Sequence, residues 1–141
     1  MRLNSILPAL ILVLFFQPAK ACELLDAATA QNVLGTAVTD LSSDPKRFCL
    51  FLSPETSAQL FVQTDPVEYY DKITIQKPHK EELDIGDRAR SHVFSRGGAA
   101  IQFISGDVSV TLGVRAPAGD NGRDYLTLLK AAAKTIAIKL D

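Results

Sequence analysis

The sequence has no tryptophan, one methionine, two histidines (His79 and His92) and two cysteines (Cys22 and Cys49) in 141 residues. A structural zinc site draws three or four cysteine, histidine or carboxylate ligands into a tetrahedron, so this supply leaves no Cys/His framework. His79, in Lys77-Pro-His-Lys80, is expected to face solvent, and His92 stands among arginines that disfavour a bound cation. No metal and no cofactor are expected. A basic excess is also missing: 15 Lys and Arg stand against 16 Asp and Glu. Nonspecific nucleic-acid binding needs a concentrated basic surface, so no nucleic-acid partner is expected. The nucleophile elbow Gly-x-Ser-x-Gly and the phosphate loop Gly-x4-Gly-Lys-Ser/Thr are absent. Glu81, Glu82, Asp84 and Asp87 lack the alternating Asp-x-Asp-x-Asp-Gly pattern of a calcium loop and read as a solvated charged loop. The chain is therefore not expected to be an enzyme.

What is present begins with a leader. Arg2 precedes an apolar segment from Ile6 to Phe16, followed by Pro18 and the triplet Ala19-Lys20-Ala21. Small residues at the first and third places of the triplet suit a signal peptidase. The apolar segment holds 11 residues, whereas a spanning helix needs about 20. Residues 1–21 thus read as a removable signal, with no transmembrane anchor left in the mature chain. Residues 22–141 form one domain of 120 residues. The leader carries two basic residues, Arg2 and Lys20, and no acid, so the remainder holds 13 basic against 16 acidic residues, a net charge of −3.

Cys22 follows the cleavage triplet directly. A lipoprotein signal would read Leu-small-small-Cys, but Ala19 stands where leucine is usual and the charged Lys20 where a small residue belongs. Exported chains with two cysteines usually join them. A Cys22–Cys49 disulfide is expected, in a periplasmic or secreted protein; the alternative is lipid anchoring through Cys22.

Asp26 to Gly35 reads as a short helix, with an aspartate at the N-cap and a glycine at the stop. Thr36 to Thr39 reads as a short strand. Arg47 to Ser53 and Ala58 to Thr64 read as a hairpin around Pro54-Glu-Thr-Ser57. The first of these is apolar on both faces, with Phe48, Leu50 and Leu52 on one and Cys49 and Phe51 on the other. Pro66 at a first helical position, with Val67 and Tyr70 at helical spacing, predicts a short helix over Asp65 to Ile75. One of the adjacent Tyr69 and Tyr70 would then face the sheet and the other solvent. Gln76 to Asp87 reads as loop. Ala89 to Ser95, Ala99 to Ser105 and Val108 to Arg115 read as three strands joined by Gly97-Gly98 and Gly106-Asp107. Leu126, Leu129, Ala133, Ile136 and Leu140 form one apolar stripe on a helix from Asp124 to Leu140. The fold class is α+β, an antiparallel sheet of about five strands packed by an N-terminal short helix and a C-terminal amphipathic helix. The two helices either cover opposite faces or share one, with the bridge reaching round a sheet edge.

Cys22-Glu-Leu-Leu25, Val33-Leu34-Gly35, Cys49-Leu50-Phe51 and Ile85-Gly86-Asp87-Arg88-Ala89 together resemble a family of small exported bacterial lipoproteins, best known in actinobacteria. That family looks like Cys-x-Leu-Leu, a short helix ending Leu-Gly, a second Cys two places before an aromatic, and a later Gly-Asp-x-Ala. The leader departs from the family at the lipid-attachment box. The resemblance implies a compartment and a fold rather than an activity.

One surface stands out. In Arg88-Ala-Arg-Ser-His-Val-Phe-Ser-Arg96, strand alternation puts Arg88, Arg90, His92, Phe94 and Arg96 on one face. Guanidinium groups fork onto carboxylate or phosphate, so this stripe suits an acidic envelope component or an exported acidic protein. The opposing reading is a solvated face whose arginines pair with Glu81, Glu82 or Asp84. The expected function is an exported noncatalytic binding or interaction module. The alternatives are an inhibitor or immunity-type protein acting through the loops Ser53 to Ser57 or Ala116 to Gly122, and, further off, a small hydrolase.

Overall fold

The computed structural model describes residues 20–72, 79–117 and 123–141; the leader reading of residues 1–19 lies outside them. In chain order the elements are α1 (Ala21–Leu24), α2 (Ala27–Leu34), β1 (Thr39–Asp40), β2 (Phe48–Leu52), β3 (Gln59–Pro66), a 3-10 turn (Val67–Tyr69), β4 (Lys80–Glu82), β5 (Arg88–Val93), β6 (Gly98–Ser105), β7 (Val108–Arg115) and α3 (Tyr125–Leu140).

Local chemistry sets most of these boundaries. The Asp26 carboxylate accepts the Thr29 N–H at 2.7 Å to start α2, and Gly35 ends it in the left-handed region at φ 75°. A Cβ there would lie 2.6 Å from the Arg123 guanidinium, which donates to the Val33 and Asn32 carbonyls at 2.7 and 2.5 Å. A cation thus caps the negative end of α2 and ties it to the start of α3. Asp124 begins α3 by accepting the Thr127 N–H at 3.1 Å. Gly98 opens β6 at φ 102°, where a side chain would collide with the Val114 carbonyl of the neighbouring strand.

The strands form one antiparallel sheet of seven, in the order β1-β2-β3-β7-β6-β5-β4. Two meanders, β1-β2-β3 and β4-β5-β6-β7, meet where β3 pairs with β7 along eight residues, Gln59↔Arg115 through Pro66↔Val108. The expectation of about five strands is corrected by the two edges. β1 has two residues and β4 three, too few to show a period of two, and β4 lies within the stretch read as loop. Short charged edges also discourage pairing with another chain. The helix expected over Asp65 to Ile75 is instead the end of β3 and a single 3-10 turn. Backbone pairing with β7 continues through Pro66 and outweighs the local helical signal; residues 73–75 lie outside the described part.

The three helices of the described residues lie on one face of the sheet, sharing a single apolar core with Cys49, Leu60, Val62, Ile101, Phe103, Leu112 and Val114. Cys22 and Cys49 are bridged, with Cα atoms 5.0 Å apart. The bridge joins α1 to β2 on the covered face and does not reach round an edge. Glu82 belongs to this face too: it accepts from Ser91 Oγ at 2.6 Å and Lys130 Nζ at 3.0 Å, pinning β4 to α3. Burial works to raise the Glu82 carboxyl, but the Ser91 and Lys130 contacts outweigh it and hold it below the ordinary value of 4.5. Among the described residues no helix is long and apolar enough to cross a membrane.

Candidate functional site on the outer sheet face

With the helices on one side, the other face of the sheet belongs to alternate residues of each strand. Register lines them up in rows. One row runs Arg88, Ile104, Ser109, Asp65; the next Arg90, Gln102, Thr111, Gln63, Phe48; the third His92, Ala100, Gly113, Phe61, Leu50. The face is polar towards β5 and apolar towards β2.

At the polar end Arg90 is 9% exposed. Its Nε and Nη2 donate to Gln102 Oε1 at 2.9 and 2.6 Å, and Nη2 also donates to the Tyr70 carbonyl at 2.6 Å. The Tyr70 ring covers this fork, with the Arg90 guanidinium 4.4 Å and the Arg88 guanidinium 5.2 Å from its centroid. Tyr70 is buried while Tyr69 is 45% exposed, the division expected of the pair. Burial pushes the Tyr70 phenol above its ordinary value, against the pull of Arg90 and Arg88. Gln102 presents its Oε1 to Arg90, so its Nε2 turns away; that atom, Thr111 Oγ1, Ser109 Oγ and the Tyr70 hydroxyl are buried without a hydrogen-bond partner.

The basic stripe is only partly present. Arg88, Arg90 and His92 share the outer face as alternation requires, but β5 ends at Val93. Phe94 and Arg96 sit in the turn, where Phe94 N–H donates to the Gly98 carbonyl at 3.0 Å. The Phe94 ring stays 5.4 Å from His92, and both are half-buried. Arg88 pairs with Asp71 at 3.7 Å, not with Glu81, Glu82 or Asp84. Arg90 is therefore a fold residue as well as a stripe residue. Arg90→Ala should lower stability by about 2 kcal/mol, because it strands two buried carbonyl acceptors. Arg88→Ala and Arg96→Ala should each stay within about 0.5 kcal/mol. Urea midpoints of the three variants check this, and an unchanged midpoint for Arg90→Ala would show that the fork is dispensable.

Among the described residues, the apolar end has no helix above it. Phe48, Leu50 and Leu52 of β2 and Phe61 of β3 are all half-buried. The Phe48 and Phe61 rings stack with centroids 5.9 Å apart and planes inclined by 16°. Phe61 lies flat because Gly113 beneath it has no side chain; a Cβ would stand 2.6 Å from the ring. The exposed Arg115 guanidinium is 5.5 Å from the Phe61 centroid. Nearby, Asp65 is held by Arg47 at 3.1 Å and by Gln63 at 2.8 Å. Sequence reading did not reach this platform. Its signal was the apolar character of β2 on both faces, but the pairing that brings Phe61 beside Phe48 depends on the register of a hairpin and on β7.

His79 is half-buried, with its Nδ1 buried and without a hydrogen-bond partner among the described residues, rather than facing solvent as expected. Among the described residues no group of three or more His, Cys, Asp or Glu is placed to hold a metal ion. The loop at Ser53 to Ser57 is braced: Ser53 N–H donates to Ala58 O at 2.9 Å, Ser57 N–H to Ser53 O at 2.8 Å and Thr56 N–H to Ser53 Oγ at 3.2 Å. The other loop, Ala116 to Gly122, lies outside the described residues from 118 onward. Compared with known proteins, the chain matches no family model, no curated protein and no solved structure.

Proposed function

We propose that this chain is an exported, noncatalytic binding module that engages its partner through the outer face of the sheet. The observation that carries the reading is the one-sided placement of the helices, which leaves Phe48, Leu50 and Phe61 half-exposed on the other face. An uncovered sheet face is ordinarily lined with polar side chains, and a contiguous apolar and aromatic patch marks an interaction surface. The leader, the bridge and the resemblance to small exported lipoproteins support the compartment.

The test is capture from native cell envelope by residues 22–141, compared with a Phe48→Ser, Phe61→Ser double variant that retains its cooperative melt. A component retained by the parent and lost by the variant is the expected result. Equal capture by both would take the outer face out of binding. The inhibitor reading draws on the braced tip at Ser53 to Ser57, which is already ordered and so loses little entropy on entering a partner's cleft. It predicts stoichiometric capture of one exported enzyme, abolished by replacing Pro54 and Glu55 and not by the double variant.

A further inference from the structure

We infer that the peptide bond between Ala21 and Cys22 is a processing site that folding closes, so that leader removal precedes formation of the Cys22–Cys49 bridge. The inference is independent of the outer face and rests on the leader reading. The triplet Ala19-Lys20-Ala21 puts the scissile bond after Ala21, and in the folded chain that bond lies inside α1. It is held from several sides. Ala21 is fully buried and shares the core with Leu24 and Leu25. Its N–H donates to the Lys46 carbonyl at 3.0 Å, and the Cys22 N–H, on the nitrogen that hydrolysis releases, donates to the Pro45 carbonyl at 3.1 Å. The Cys22 sulfur is joined to Cys49, itself fully buried on β2.

A peptidase takes its substrate as an extended strand, with main-chain hydrogen bonds to the cleft and side chains in pockets. Ala21 offers neither, because its backbone is helical and its methyl group lies in the core. Cutting the folded chain therefore requires α1 to open, and the rate follows the open fraction. The bridge opposes that opening by tying residue 22 to the sheet. Hydrolysis itself breaks the bond between the Ala21 carbonyl carbon and the Cys22 nitrogen. The oxygen of water completes the Ala21 carboxylate, and its two protons turn the Cys22 N–H into an ammonium. That group keeps the Pro45 acceptor and brings two further donors, so a chain cut first can still dock its new end. A chain that folds and oxidises first keeps its leader.

The test incubates a signal peptidase, in mild detergent, with three substrates: the oxidised full chain, a Cys49→Ala full chain that retains its cooperative melt, and a free peptide of residues 8–30. Cys49→Ala removes the bridge and leaves the sequence around the scissile bond unchanged. Mass spectrometry reads both the site and the rate. The peptide should be cut between Ala21 and Cys22 and fastest of the three. The Cys49→Ala chain should be cut about a hundredfold faster than the oxidised chain, the loop-closure contribution of the bridge expressed as a change in open fraction. Equal rates for the peptide and the oxidised chain would overturn closure by folding. Equal rates for the two full chains would overturn the bridge as the latch. A peptide cut elsewhere, or not at all, would overturn the processing site itself. None of these results alters capture by the outer face, so the binding-module reading stands or falls separately.

Discussion

Deleting residues 124–141 should abolish the cooperative thermal transition. α3 lays Leu129, Ala133 and Ile136, all fully buried, and Tyr125 onto β6 and β7. Beneath them Ile101, Phe103, Val110 and Leu112 are equally buried, and among the described residues no other helix covers that part of the sheet as extensively. Fully burying each large apolar side chain contributes roughly 1.5–3 kcal/mol, and deletion re-exposes side chains on both sides of the contact. The loss therefore approaches or exceeds the whole stability of a domain this size, about 5–15 kcal/mol. Deletion also removes Lys130, leaving the Glu82 carboxylate on edge strand β4 without that ion pair. A milder variant separates burial from chain length: Leu129→Ala should cost about 2–5 kcal/mol and keep a single transition. Calorimetry of the truncated chain decides the matter. A sharp endotherm near that of the parent would make α3 peripheral and would contradict its burial pattern.

How much of this could be read beforehand depended on whether the signal was local. The ends of α2 were legible because Asp26 and Gly35 act on their own neighbours. α3 was legible from a stripe that repeats for four turns, and β7 from the alternation of Val108, Val110, Leu112 and Val114 against Ser109, Thr111, Gly113 and Arg115. β1 was read only as a short strand over Thr36 to Thr39, which overlaps it at Thr39, and β4 was not read at all, since two or three residues carry no period. Arg90 shows a different limit. Alternation assigns a residue to a face but does not say what else lies on that face, and here Tyr70 folds over the guanidinium from a turn twenty residues earlier. The stripe lost Phe94 and Arg96 because Gly97 and Gly98, at φ 111° and 102°, turn the chain before the alternation can continue. The aromatic platform assembles β2, β3 and β7, so it is a property of pairing register that no single segment carries.

Breaking the Cys22–Cys49 bridge should lower stability by about 3–4 kcal/mol, the loop-closure value for cysteines 27 positions apart in the chain-entropy model. The structure shows why little of that is lost to competing effects. The Cys22 N–H donates to the Pro45 carbonyl at 3.1 Å, so α1 is held against the segment that leads into β2. Cys49 is fully buried, and Ser42 Oγ lies 3.4 Å from Cys22 Sγ and 3.3 Å from Cys49 Sγ while accepting the Leu50 N–H at 3.0 Å. The surroundings are thus built around both sulfurs. The Cys22→Ala, Cys49→Ala double variant should unfold at a lower denaturant midpoint, and the parent in reductant should move to nearly the same place. The double variant itself should ignore reductant, which separates the bridge from general effects of thiols. Whether Cys22 carries a lipid turns on the same sulfur. A thioether to a lipid needs the Cys22 Sγ that the bridge already uses, so bridge and anchor exclude each other. Intact mass of the exported chain should equal residues 22–141 less two hydrogens. A parent midpoint indifferent to reductant would overturn the bridged form, and an added mass of acyl chains would make Cys22 an anchor.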